Sequence, residues 1–105
     1  MAVDIDTDPM VLLKAVAAPM RWRIVEQLAS EELCVCHLVD ALDVPQPLVS
    51  HHLKVLRDAG VVTSERHRYW TYYRLRPDAL ATLSRSIDAL AERAPPAGDR
   101  RRPCC

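Results

Sequence analysis

Cys34 and Cys36 stand one residue apart, and two thiols at that spacing can grip a soft ion. About ten residues later the chain reads Gln46-Pro47-Leu48-Val49-Ser50-His51-His52-Leu53-Lys54, polar and basic side chains interleaved with an apolar stripe. Glutamine, serine and lysine supply the phosphate and base-edge contacts that nucleic acid needs. An ion held at the thiols would be felt at that neighbouring surface. The juxtaposition points to a transcription factor that responds to a metal or a metalloid.

The spacing also constrains geometry. In an ideal helix, residues two apart point about 160° away from each other. Cys34 must therefore lie at or before the first helical turn, or that turn must unwind on binding. A helix N-terminus lowers thiol pKa and raises the thiolate fraction that binds metals. Two thiolates still underfill a shell: trivalent arsenic favours a third sulfur, and cadmium or lead a third or fourth. Val39 offers no donor. Cys104 and Cys105 close the chain on a tail that reaches up to ~40 Å when extended. They are candidate ligands alongside Cys34 and Cys36, or an uninvolved end. His37 is either a nitrogen ligand or, more plainly, a partly exposed helical histidine.

A chain of 105 residues forms one domain, and a domain this small is often helped by oligomerisation. Hydrophobic content is 50% with no Phe, so Leu, Val, Ala and a few Tyr and Trp must fill the core. The formal net charge is zero, which by itself argues against nucleic-acid binding. The distribution argues the other way. Residues 45–76 carry Lys54, Arg57, Arg66, Arg68, Arg74 and Arg76 against only Asp58 and Glu65, and local basicity is what nucleic acid meets. The first ten residues are acidic and lack a signal-peptide pattern, and no apolar run approaches the ~20 residues of a membrane span. A cytoplasmic location is expected, with no membrane partner. Thiols stay reduced there, so four cysteines in two close pairs read as metal-binding or redox-active rather than as a disulfide framework.

The elements that must position these residues follow from periodicity. Residues 1–8 read as an acidic tail, 9–93 as the folded unit, and 94–105, with three prolines and a glycine, as a flexible tail bearing the cysteine pair. A short helix covers Pro9–Ala18. A second runs from Pro19 to about Ser30 with Trp22, Val25 and Leu28 at helical spacing and Ile24 beside them. A third spans roughly Cys34–Leu42. After Asp43-Val44-Pro45 a fourth begins near Gln46 and stops at Gly60, with Val49, Leu53 and Leu56 inward. Val61–Ser64 and Tyr69–Leu75 read as strands around a basic Glu65–Arg68 turn. A last helix covers Pro77–Arg93. The expected fold is mainly α with a small β-hairpin wing, a winged helix-turn-helix whose fourth helix enters the major groove. Gln46, Ser50, His51 and Lys54 are then the groove-facing candidates, and Arg66 and Arg68 at the wing tip would touch phosphate or minor groove. Apolar faces on the first helix (Val11, Leu12, Ala15) and the last (Leu83, Ile87, Leu90) predict a homodimer, which suits a palindromic operator.

From Pro19 to Arg76 the chain resembles the ArsR/SmtB family of metalloregulatory repressors. The resemblance rests on Glu32-Leu33-Cys34-Val35-Cys36-His37-Leu38, on the run from Gln46 through Lys54-Val55-Leu56-Arg57-Asp58-Ala59-Gly60 to Val62, and on Tyr72-Tyr73-Arg74-Leu75. It implies a homodimer that represses metal-resistance genes on operator double-stranded DNA and leaves when an inducer binds. It is nearest the arsenic branch, with the cadmium- and lead-sensing branch beside it. Two positions depart: His37 stands where the family usually has Asp, and Val39 where the best-known arsenic sensors have a further Cys. The last helix has no His, so the zinc-sensing site of another branch is not expected. The inducer implied is trivalent arsenic or antimony, with cadmium or lead, or thiol oxidation, as alternatives. No enzyme is expected, because neither a Cys-x-x-Cys pair, a Gly-rich loop nor a Ser/His/Asp set is present.

Overall fold

Proline stands in the first turn of four of the five helices, where its missing N–H would have had no helical partner anyway. In the computed structural model, which describes residues 8–104, α1 is Pro9–Ala17 and α2 is Pro19–Leu28. Residues 1–7 of the expected acidic tail lie outside the described residues. Asp8 belongs to the fold instead: its carboxylate caps α1 by accepting the Met10 N–H at 2.9 Å. The second helix stops at Leu28, short of Ser30. Its buried stripe is Ile24, Val25 and Leu28, and Trp22 is 48% exposed. Two residues along a helix is about 200° of rotation, so Trp22 points away from Ile24.

A strand without a signal in the sequence comes next. β1 (Leu33–Cys34) pairs antiparallel with a later strand, and only then does α3 (Val35–Leu42) begin. Asp43 turns the chain in the left-handed region at φ 57°, where a short polar side chain is tolerated. α4 (Gln46–Asp58) follows, with Val49, Leu53 and Leu56 fully buried, and Gly60 takes the positive φ just beyond its end. α3 packs on α4, and both rest on α2.

The wing is tighter than expected. β2 (Val62–His67) and β3 (Trp70–Leu75) keep Glu65, Arg66 and His67 in the ladder opposite Tyr72, Thr71 and Trp70. The connection is Arg68-Tyr69 alone, with Arg68 at φ 62°, as the first position of a primed hairpin turn requires. The sheet order is β1-β3-β2, so β3 joins the wing to the cysteine segment. α5 (Pro77–Arg93) closes the fold against α1. Leu12, Ala15 and Leu83 are buried within the chain, so these members of the expected dimer faces are spent on the monomer core. Met10, Val11, Leu13, Ile87 and Leu90 remain exposed. Residues 94–104 carry no helix or strand. Among the described residues no helix is long and apolar enough to cross a membrane. The architecture is a winged helix-turn-helix.

Candidate functional site

Cys34 is the last residue of β1 and the N-cap of α3, at φ −94° and ψ 172°. That extended backbone frees it from the helical fan and removes the angular conflict with Cys36. The two Sγ atoms lie 2.7 Å apart. His37, one residue further on, completes the group: its Nδ1 is 3.3 Å from Cys34 Sγ and accepts the Cys34 N–H at 3.2 Å. The Cys34 sulfur in turn accepts the His37 N–H, a capping box built from a cysteine and a histidine. The three donor atoms all lie within 4.8 Å of one another. Cys34 is buried, while Cys36 and His37 face solvent, so an ion has a way in.

The electrostatics separate the two thiols. Burial pushes the Cys34 thiol up. The Cys36 thiol and the backbone N–H groups of His37, Cys36 and Cys34 itself outweigh burial and bring it below its ordinary value. The Cys36 thiol is raised, first by its hydrogen bond to Cys34, then by desolvation and the Cys34 charge. The two shifts run in opposite directions, with Cys34 the more acidic thiol of the pair and Cys36 the less acidic. A helix N-terminus is where a more acidic thiol is expected. Two sulfurs and an imidazole nitrogen are soft and borderline donors; among the described residues no carboxylate lies within that group, and Asp40 lines the cleft beside it, so the set itself fits a thiophilic ion rather than magnesium or calcium.

Beside the thiols opens a cleft of about 440 Å³, lined by Cys34, Cys36, Gln46, Tyr69, Trp70 and Thr71. Val39 lines it too and offers only methyl groups. Gln46 is the first residue of α4, so the cleft runs from the cysteines to the start of that helix and to the wing tip. Cys104 is exposed and is not among the converging donors of the described residues; Cys105 lies outside the described residues. His37, only a side possibility by its spacing, is the third donor that the fold brings in. The available signal is its place three residues after Cys34, where a capping box puts its second member.

A second surface lies on α4. Gln46, Ser50, His51 and Lys54 are all exposed, opposite the buried Val49, Leu53 and Leu56. Lys54 Nζ donates to Asp58 at 2.9 Å, but both groups are well exposed, so the pair yields readily to a stronger anion. His52 turns inward: Arg21 Nη1 lies 3.1 Å from its Nδ1. Burial, then the Arg21 charge, then His51, lower its pKa. On the wing, Arg66 and Arg68 are exposed, and Arg66 Nε donates to the Arg68 carbonyl at 3.2 Å, bracing the turn. Tyr69 and Trp70, 86% and 56% exposed, share that tip, and the sequence alone does not mark them as functional. A basic residue is conspicuous there, whereas two aromatics read simply as strand formers.

A wing, an exposed polar face on the second helix of the motif and a soft-donor cluster beside them are the parts of a winged helix-turn-helix regulator of transcription. Residues 18–64 match the family of bacterial regulatory proteins described as the arsR family. The transcriptional repressor SmtB of Mycobacterium tuberculosis is 55% identical over 80 residues, 76% of this chain and 58% of that protein. The arsenical resistance operon repressor of Escherichia coli is 41% identical over 81 residues, 76% of this chain and 72% of that protein. A solved possible transcriptional regulator for arsenical resistance is 37% identical with a TM-score of 0.70, covering 75% of this chain and 82% of that one. The homodimeric winged helix-turn-helix domain of a Mycobacterium bovis protein is 25% identical with a TM-score of 0.66, covering 79% and 77%. The chain belongs to the ArsR family of helix-turn-helix regulators. These relatives are regulators of transcription, not enzymes. The chain spans somewhat over half, 58%, of the length of the mycobacterial repressor.

Proposed function

We propose that this chain is a cytoplasmic transcriptional repressor that binds operator DNA as a homodimer and leaves it when a thiophilic ion binds Cys34 and Cys36. The observation that carries the reading is the convergence of Cys34, Cys36 and His37 at the start of α3. Residues 9–93 form the DNA-binding and dimerisation unit, with 94–105 as a tail. Gln46, Ser50, His51 and Lys54 face the groove, and Arg66 and Arg68 meet the backbone from the wing. Met10, Val11 and Leu13 with Ile87 and Leu90 are the apolar surface a second copy would cover.

The leading inducer is trivalent arsenic or antimony, supported by the relatives named for arsenical resistance and by the lowered thiol pKa of Cys34. Its third sulfur would come from Cys104 or Cys105 of either subunit, or from a small thiol. One observation favours a second reading, cadmium or lead: the third donor already in reach is the imidazole nitrogen of His37. In either case ion and DNA favour different conformations, and the antagonism is reciprocal. Couplings of this kind are about 1–3 kcal/mol, or roughly 5–150-fold in affinity. Two contacts can carry it: α3 against α4, and β1 against β3.

Reduced protein bound to DNA from upstream of its own gene is titrated with arsenite, antimonite, cadmium, lead and zinc. Release by arsenite and antimonite ahead of the divalent ions supports the first inducer, and the reverse order the second. Release by none of them removes the ion-sensing reading, and absence of operator binding removes the repressor reading altogether.

A further inference from the structure

The wing ends on two aromatic rings that the fold does not use. Tyr73 and Leu75 of β3 pack on the core, whereas Tyr69 and Trp70 stand out from it, 86% and 56% exposed. Among the described residues neither ring meets another ring. Folding gains little from large apolar surface left in water. The turn beneath the rings is also strained. Arg68 holds φ 62°, a conformation that glycine adopts readily and a residue with a Cβ does not. Strain and exposed rings at one tip mark a surface that meets a partner.

Charge and position identify that partner as duplex DNA. Arg66, His67 and Arg68 precede the rings at the tip, and Glu65 stands further down the ladder, opposite Tyr72. Both rings line the cleft that reaches Gln46, the first residue of α4, so they lie on the side of the wing toward that helix. With α4 in the major groove, the tip stands over the neighbouring minor groove. That groove is about 6 Å wide, too narrow for a whole hairpin but open to a ring on its edge. Apolar side chains that enter there part a base step and kink the duplex.

We propose that Tyr69, backed by Trp70, is a minor-groove wedge that unstacks a base step beside the major-groove half-site, while Arg66 and Arg68 hold the flanking phosphates. The inference rests on the reading of this chain as an operator-binding repressor. The wedge gives sequence preference without a hydrogen bond to a base. Pyrimidine–purine steps such as TA and CA unstack most easily, so the operator carries one under the tip. Its salt signature is distinct. A ring displaces no counterions, so its loss costs affinity and leaves the salt slope alone, unlike the loss of an arginine.

The test uses the full chain with Trp22→Phe, which leaves Trp70 as the one indole, and duplex DNA from upstream of its own gene with a fluorophore at each end. Trp70 emission, end-to-end energy transfer and affinity across a salt series are read for this parent and for Tyr69→Phe, Tyr69→Ala and Tyr69→Lys. Tyr69 lies in the turn, outside the ladder, so these changes spare the strand pairing, and circular dichroism checks the fold. DNA is expected to quench Trp70 and to draw the fluorophores together, and Tyr69→Phe keeps both effects. Tyr69→Ala binds roughly ten-fold more weakly, as loss of one stacked ring implies, with an unchanged salt slope and a straighter duplex. Tyr69→Lys steepens the salt slope and leaves the duplex equally straight. If Tyr69→Ala bends and binds DNA as the parent does, or the parent neither bends DNA nor loses Trp70 emission on it, the proposal is overturned and the repressor reading survives. A Tyr69→Ala protein whose sedimentation changes without DNA assigns the rings to a contact between copies and overturns it as well. If the parent binds no DNA, the repressor reading itself fails and takes the proposal with it.

Discussion

Cys34 and Tyr72 are direct partners across the antiparallel pair β1–β3, and Tyr72 is also the partner of Glu65 across β3–β2. One rung of sheet therefore runs from a candidate ligand to the wing. On the proposed reading, a shift of Cys34 on ion binding would pass along backbone hydrogen bonds, which are short and directional, rather than through side chains that can repack. The helix route through α3 and α4 acts in parallel.

Cys34→Ser and Cys36→Ser are each expected to keep operator affinity within about three-fold, a fraction of a kcal/mol. Serine is a good N-cap, so α3 survives in the first variant. Both should lose the ion response. Deleting residues 103–105 should weaken the arsenite response and lower the sulfur count at arsenic in X-ray absorption when no small thiol is added. An unchanged sulfur count and a wild-type response in the truncated protein would mean that Cys104 and Cys105 are idle.

On DNA, the two surfaces should separate in their salt behaviour. Ser50→Ala and His51→Ala are expected to cost more on the operator than on random DNA, up to about 1–3 kcal/mol where a side chain reads a base edge. Arg66→Ala and Arg68→Ala should weaken both kinds of DNA and lower the salt slope by about one unit for each phosphate that an arginine neutralises. Fluorescence anisotropy across a salt series measures this. Neutral changes on α4 would show that another element enters the groove.

Ile87→Asp with Leu90→Asp should yield a folded monomer. Both side chains are mostly exposed, whereas Leu12 and Leu83 keep α1 against α5 within the chain. Sedimentation equilibrium at micromolar concentration tests this, with circular dichroism to check folding. A variant that stays dimeric places the interface elsewhere.

Stability should fall on the acid side through His52. Burial and then Arg21 and His51 hold its pKa below the ordinary 6.5. Above that value both folded and unfolded chains carry the neutral ring, and there is no difference between them. As pH drops through 6.5 the unfolded chain takes the proton first, so folding weakens, and the loss is complete once pH is below the folded-state pKa. His52→Gln keeps an acceptor for Arg21 without the titration. Melting temperature should therefore fall more steeply for wild type than for the variant between about pH 7.5 and about pH 5. Parallel curves would remove His52 from the acid response.

Much of this protein is legible in its residues, because period and punctuation are local properties. Val49, Leu53 and Leu56 recur at helical spacing and turn inward wherever the helix sits, so the exposed Ser50, His51 and Lys54 follow from arithmetic. Proline at the helix starts and Gly60 at a stop mark boundaries by steric rules that need no partner. The pairing of two thiols one residue apart, at Cys34 and Cys36, is likewise written in the chain. Tertiary structure alone decided how the two thiols meet. A two-residue strand has no period to detect; Leu33 and Cys34 are extended because β3 offers them a ladder from elsewhere in the chain. That pairing makes Cys34 an N-cap instead of a helical residue and brings His37 back onto it. Trp22 shows the same limit from the other side: its spacing suits a core, but the angle at which α2 meets α3 and α4 selects Ile24. Local pattern states which faces a segment has, and only packing chooses which face meets which neighbour.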